Sequence, residues 1–102
     1  MIDIYESAVE ESGLFGAVFE RDNETVFFYL LDMRKSEGSQ IVSAFNVQKA
    51  DNTPVDLPVS VRWSETASIV GLFINEALIA VFDLRSGDLT GRYADGADAS
   101  WF

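Results

Sequence analysis

Acidic side chains are the most abundant reactive groups in the chain, and several of them cluster. Glu20, Asp22 and Glu24 fall in one short stretch, and Asp32 stands at the far end of the apolar run that follows. Two carboxylates held close together can run acid–base chemistry on a glycoside or hold a hard cation. The same residue types also serve a β-turn, because Asp and Asn accept hydrogen bonds from the backbone just ahead of them. Arg21-Asp22-Asn23-Glu24 lies between two apolar runs, so the turn is the simpler reading. Asp88, Asp95 and Asp98, with Gly96 and Ser100, form a second acidic group near the end of the chain. They lack both the alternating acid order of a calcium loop and its closing bidentate carboxylate, so no metal is expected there.

Other chemistry is scarce. The chain has neither Cys nor His, which removes thiolate zinc sites, thiol nucleophiles and the commonest general base. The only lysines are Lys35 and Lys49, and neither stands at the spacing that activates a serine. No nucleophile elbow, dinucleotide fingerprint or phosphate loop occurs. The expectation is a protein that is not an enzyme and needs no cofactor, with a carboxylate hydrolase on Glu20, Asp22, Glu24 or Asp32 as the weakest alternative.

Charge points towards partners. Seventeen acids against seven bases leave a formal net charge of −10. That field draws in a basic partner and repels phosphate backbones and anionic lipid, so direct nucleic-acid or membrane binding is not expected. The first residues lack the basic and apolar regions of a secretory signal, and Thr66–Asn75 is far shorter than the ~20 residues that span a bilayer. A cytoplasmic location is the expectation.

The elements that must position these groups are strands. At 102 residues with 48% apolar content, one domain over 1–102 is expected, with ~5,700 Å² of folded surface. Short runs rich in Val, Ile and Phe alternate with turn residues. Strands are predicted at Leu14–Glu20, Thr25–Asp32, Ile41–Gln48, Val59–Trp63, Ser68–Ile74, Ala77–Leu84 and Asp88–Tyr93. The chain breaks at Asp51-Asn52-Thr53-Pro54. Residues 1–13 form an N-terminal segment whose only helix candidate is Glu6–Ser12, and 94–102 is an acidic, aromatic tail. The fold class is mainly β: an antiparallel meander of about seven strands making a curved sheet, sandwich or partly open barrel, with at most one short helix. Val26, Phe28 and Leu30 oppose Phe27, Tyr29 and Leu31, and Ile69 and Phe73 oppose Val70, Leu72 and Ile74. Strands apolar on both sides need covers, from the other half of a sandwich, from the termini or from a second copy. Trp101 and Phe102 are expected to fold back over the sheet.

Phe19 to Asp32, reading FERDNETVFFYLLD, resembles the signature of a bacterial family of small acidic proteins of unknown function, in which F-E-x-D-x-[DE]-T runs into F-Y-x-L-D. Ile41–Val47, Val61–Glu65, Leu72–Asn75 and Ala80–Asp83 resemble its later segments in order. Glu76 stands where a turn glycine is common, and Ile79 where a His often precedes the last segment. The resemblance implies a β-rich fold and a bacterial source, and it carries no activity.

A small acidic scaffold without catalytic equipment suggests a binding or inhibitory module, like an immunity protein or antitoxin docked on a basic partner such as a toxin. Asp22, Glu24, Glu65, Glu76, Asp95, Asp98 and Trp101 are the candidate contact residues. A self-associating structural domain, such as a homodimer, and a nucleic-acid mimic are the alternatives.

Overall fold

β-branched and aromatic runs bounded by polar turns settle into extended backbone because their side chains pack well on a pleated surface. The computed structural model describes residues 2–50, 57–87, 89–95 and 99–102. It has eight strands: β1 (Ile2–Val9), β2 (Phe15–Asp22), β3 (Val26–Asp32), β4 (Ile41–Asn46), β5 (Val59–Trp63), β6 (Ile69–Ile74), β7 (Ala77–Asp83) and β8 (Gly91–Tyr93). They form two four-stranded antiparallel sheets, β1-β2-β3-β4 and β5-β6-β7-β8, each a simple meander. The only helical pieces among the described residues are 3₁₀ turns at Gln48–Ala50, Leu84–Ser86 and Ala99–Trp101.

The sheets stack into a sandwich and do not close into a barrel. The shortest dimension of the molecule is 21 Å, two layers thick. Phe19, Phe28 and Leu30 of the first sheet meet Val70, Leu72 and Phe82 of the second, all fully buried, and the rings of Phe28 and Phe82 lie 4.9 Å apart. Val47 and Ala50, which follow β4, belong to the same core. The accessible surface is 5881 Å², close to what chain length alone implies. Two seams join the layers. At one, the Trp63 indole N–H donates to the Ala8 carbonyl oxygen (3.0 Å), tying β5 to β1. At the other, Gly91 lets β8 approach Phe45 of β4.

The N-terminal segment corrects the expectation of a helix at Glu6–Ser12. Residues up to Val9 are strand, in continuous register with β2 from Ile4↔Arg21 to Val9↔Gly16. A one- or two-turn helix is marginal by itself, whereas a paired strand has every inward hydrogen bond satisfied. Glu10 then makes the turn: its carboxylate accepts from the Leu14 N–H (3.2 Å) and the Ser12 hydroxyl, while Gly13 takes the left-handed conformation (φ +80°). The described residues therefore form eight strands, against an expectation of about seven. The predicted break at Asp51–Pro54 and the predicted strand start at Asp88 lie outside the described residues. No helix among those described is long and apolar enough to cross a membrane.

Candidate functional site

The two sheets treat their outer faces differently. On the second sheet, the chain's own end lies across the strands. Phe102 packs edge-on against Phe73 with centroids 5.2 Å apart, over the bare backbone of Gly71. Arg62 lies 4.3 Å above the Phe73 ring, and Arg85 lies 4.8 Å above Trp101. The expected fold-back of Trp101 and Phe102 is what closes this face, and every residue of β6 is buried.

Among the described residues, no comparable segment lies across the outer face of the first sheet. The register sets its rows: Tyr5 beside Glu20 beside Phe27 beside Asn46, then Ser7, Val18, Tyr29 and Ala44, then Val9, Gly16, Leu31 and Ile41. Tyr5 is 55% exposed, Val9 54% and Ile41 57%. Only Met33 laps onto the dent left by Gly16. Phe27 and Tyr29 stack along β3 with ring centres 5.7 Å apart. These rows, together with Asp22 at the end of β2, carry two acids and no base. A shallow hollow of about 240 Å³ opens in the middle, lined by Tyr5, Val18, Glu20, Tyr29, Leu31 and Ile41.

Glu20 lies in that hollow, half-buried, and has no hydrogen bond or ion pair among the described residues. The Tyr29 hydroxyl is held above its ordinary pKa by burial, and further by the charges of Glu20 and Asp22. The face is thus apolar in shape and negative in potential.

The other candidate acids fall elsewhere. Asp22 builds the β2–β3 turn, accepting from the backbone N–H groups of Glu24 (2.8 Å) and Thr25 (2.7 Å), bonds that hold its pKa down. Glu24 is exposed beside it, so this pair borders the open face. Glu76 lies in the β6–β7 turn and pairs with Arg62 (3.0 Å). Asp95 follows β8 and stands 4.0 Å from Lys49. Glu65 occupies the β5–β6 turn, at the opposite end of β6 from Glu76. Asp98 lies outside the described residues, as do Asp88 and Gly96. Asp32 is clamped by Arg34 at the far end of β3 from Asp22, so Glu20, Asp22, Glu24 and Asp32 do not converge on one pocket. Among the described residues no group of acids is arranged to hold a metal.

A second concavity, about 330 Å³, lies between the β5–β6 turn and the C-terminal end, lined by Ser64, Glu65, Thr66, Ser68, Arg85 and Trp101 among others. Several of its polar groups serve the fold. Ser64 Oγ accepts from the N–H groups of Ser68 and Ile69, Thr66 bonds to Ser68, and Arg85 is held by Asp83. Reading the sequence by its acids missed Tyr5, Val18, Tyr29, Leu31 and Ile41. The signal that could have found them was β3, apolar on both sides, with one side left without a cover.

An antiparallel β-sandwich with one face closed by its own tail and one open apolar face defines the structural class. The chain belongs to the family described as uncharacterized proteins conserved in bacteria (DUF2251), which it matches over residues 3–94. An uncharacterized protein of Haemophilus influenzae is 34% identical over 71 residues, which make up 68% of this chain and 44% of the relative. The chain therefore spans less than half the length of that relative. No solved structure matches it.

Proposed function

We propose that this protein is a binding module that docks a positively charged protein partner on the outer face of the β1–β4 sheet. The observation that carries this reading is the contrast between the two outer faces. The tail closes one, while the other leaves Tyr5, Val9 and Ile41 more than half exposed around a hollow floored by Val18 and Leu31. A contiguous apolar face rimmed by charge is the usual mark of a docking surface.

Charge selects the kind of occupant. The face holds Glu20 and Asp22 without a base, on a chain of net charge −10. A second copy docked face to face would set its own Glu20 against the same apolar surface, since a two-fold contact uses the same patch twice. Burying two carboxylates without a cation is costly. A basic partner instead gains steering on approach and a counter-charge on contact. An immunity- or antitoxin-like role, inhibiting a basic protein by covering it, fits these properties.

A photo-crosslinker at Ala44, on the exposed outer side of β4, tests the reading in extracts of the source bacterium, with Glu65 as the control position. The expected product joins the chain to one basic protein from Ala44 only. After purification that protein rebinds with an affinity that falls steeply as salt is raised. A product joining two copies of this chain, an acidic partner, or no product at Ala44 would overturn it.

A further inference from the structure

Glu20 is an exception among the described carboxylates that are half-buried or buried. Asp32 and Asp83 each hold an arginine through two side-chain hydrogen bonds, and Glu10 is engaged by its own turn. Glu20 is half-buried between Tyr5 and Phe27 on an apolar face, with no such partner among the described residues. A carboxylate on an apolar face with no partner of its own is open to a charge-assisted hydrogen bond from a cation that enters beside it.

The surroundings specify the cation further. The chain's own bases rest repeatedly on aromatic rings: Arg34 on Phe15, Lys49 on Tyr93, Arg62 on Phe73 and Arg85 on Trp101, at 4.3–5.3 Å. No described base sits on Tyr5 or Tyr29. A free inorganic cation would match the carboxylate but not the apolar walls of Val18, Leu31 and Ile41. A long side chain with an apolar stem and a charged head matches both, because the stem covers apolar surface while the head meets the carboxylate and the rings.

Resting on the docking reading above, we propose that Tyr5, Glu20 and Tyr29 form a subsite that receives one lysine or arginine side chain of the partner. Glu20 supplies the counter-charge and hydrogen-bond acceptor, the tyrosine rings flank the head, and the apolar walls take the stem.

The probes are Nα-acetyl-lysine methylamide, Nα-acetyl-arginine methylamide and the uncharged Nα-acetyl-norleucine methylamide, titrated at low ionic strength while backbone amide shifts are followed by NMR. The two cationic probes should move residues around 5, 18–20, 29–31 and 41 together, with millimolar affinity. Norleucine should bind at least tenfold more weakly. Glu20→Gln should weaken the cationic probes at least tenfold with the rest of the spectrum unchanged, and Tyr5→Leu should weaken them several-fold while keeping the surface apolar. Cationic probes that map to the turns at Glu24 or Glu65, or that bind Glu20→Gln as tightly as the parent, would overturn the subsite. The two readings fail separately. If the protein captured from Ala44 binds Glu20→Gln undiminished, docking on this face stands and the subsite falls. If nothing basic is captured from Ala44, the docking reading falls first.

Discussion

Asp32 and Asp83 close the third strand of their respective sheets with the same clamp. In each, one carboxylate oxygen accepts from the backbone N–H and the Nε of the arginine two residues on, while the other accepts from that arginine's terminal nitrogen. Each guanidinium also rests on an aromatic ring, Arg34 on Phe15 and Arg85 on Trp101. The repeated Asp-x-Arg unit turns the chain off the end of β3 and β7 and ties a strand end in one sheet, and the C-terminal cover in the other, to the turn.

These clamps set an acid limit on stability. Hydrogen bonds from Arg34 and Arg85 hold both carboxyls below their ordinary value of 3.8. A folded-state pKa below the unfolded one gives stability that is present above the unfolded value and lost as pH falls through the folded one. The urea midpoint of the parent chain should therefore drop as pH is lowered below about 3.8. The double variant Asp32→Asn/Asp83→Asn should start weaker at pH 7 and lose less over the same interval. Parallel pH profiles for the two proteins would show that the clamps contribute nothing.

Among the described residues, one side-chain hydrogen bond crosses the β1–β5 seam, from the Trp63 indole N–H to the Ala8 carbonyl oxygen. Trp63→Phe keeps an aromatic ring and removes the donor, so the half-buried Ala8 carbonyl oxygen keeps its place in the β1–β2 ladder and loses its bond across the seam. The expected cost is about 1 kcal/mol, or roughly 4–8 °C in Tm for a domain of this size. Amide exchange should accelerate in β1 before β3, since β1 is an edge strand of its sheet and Trp63 links it to the other layer. Uniform acceleration across both sheets would mean that the seam is not a local link.

Much of this architecture is legible in the residues, for identifiable reasons. Val59-Ser60-Val61-Arg62-Trp63 alternates cleanly and is a strand over those same residues. The β2–β3 hairpin follows from Asp22, whose carboxylate organises the turn. β1 is not legible locally, because Glu6–Ser12 has no strong period of its own and its first part, up to Val9, becomes strand only through its register with β2. The open face was harder to see. That β3 is apolar on both sides is plain in Phe27-Phe28-Tyr29-Leu30-Leu31, but which of two such faces the tail covers depends on where β6 lies after folding. Glu20 reads as one more turn acid until pairing places it between Tyr5 and Phe27.

The β6–β7 turn carries stored strain. Asn75 and Glu76 both have positive φ, +52° and +66°, in a two-residue hairpin of the kind that favours Asn followed by Gly. A non-glycine residue in the left-handed region costs roughly 1 kcal/mol, while the exposed Arg62–Glu76 pair contributes at most about as much. Glu76→Gly should therefore stabilise the fold slightly, by about 0.5 kcal/mol in urea unfolding. Clear destabilisation would show that the ion pair outweighs the strain.

Two glycines let other groups approach their strands, and their neighbours differ in freedom to yield. A methyl group at Gly91 would stand 2.6 Å from the Phe45 Cβ and 2.8 Å from the Phe82 ring, both fixed between the layers. Gly91→Ala should cost about 1–3 kcal/mol by forcing β8 away from β4. At Gly71 the methyl would meet the tip of Leu78 at 2.7 Å and the Phe102 ring at 2.9 Å, groups on the outside of the sandwich. Those can swing aside, so Gly71→Ala should cost less stability but loosen the tail from the second sheet. Faster exchange of the Trp101 indole N–H, followed by NMR, would detect that release. A lifted tail also uncovers Phe73, giving the molecule two open apolar faces, and light scattering should then show self-association absent from the parent. If Gly71→Ala leaves both exchange and scattering unchanged, the second face is closed by more than Trp101 and Phe102.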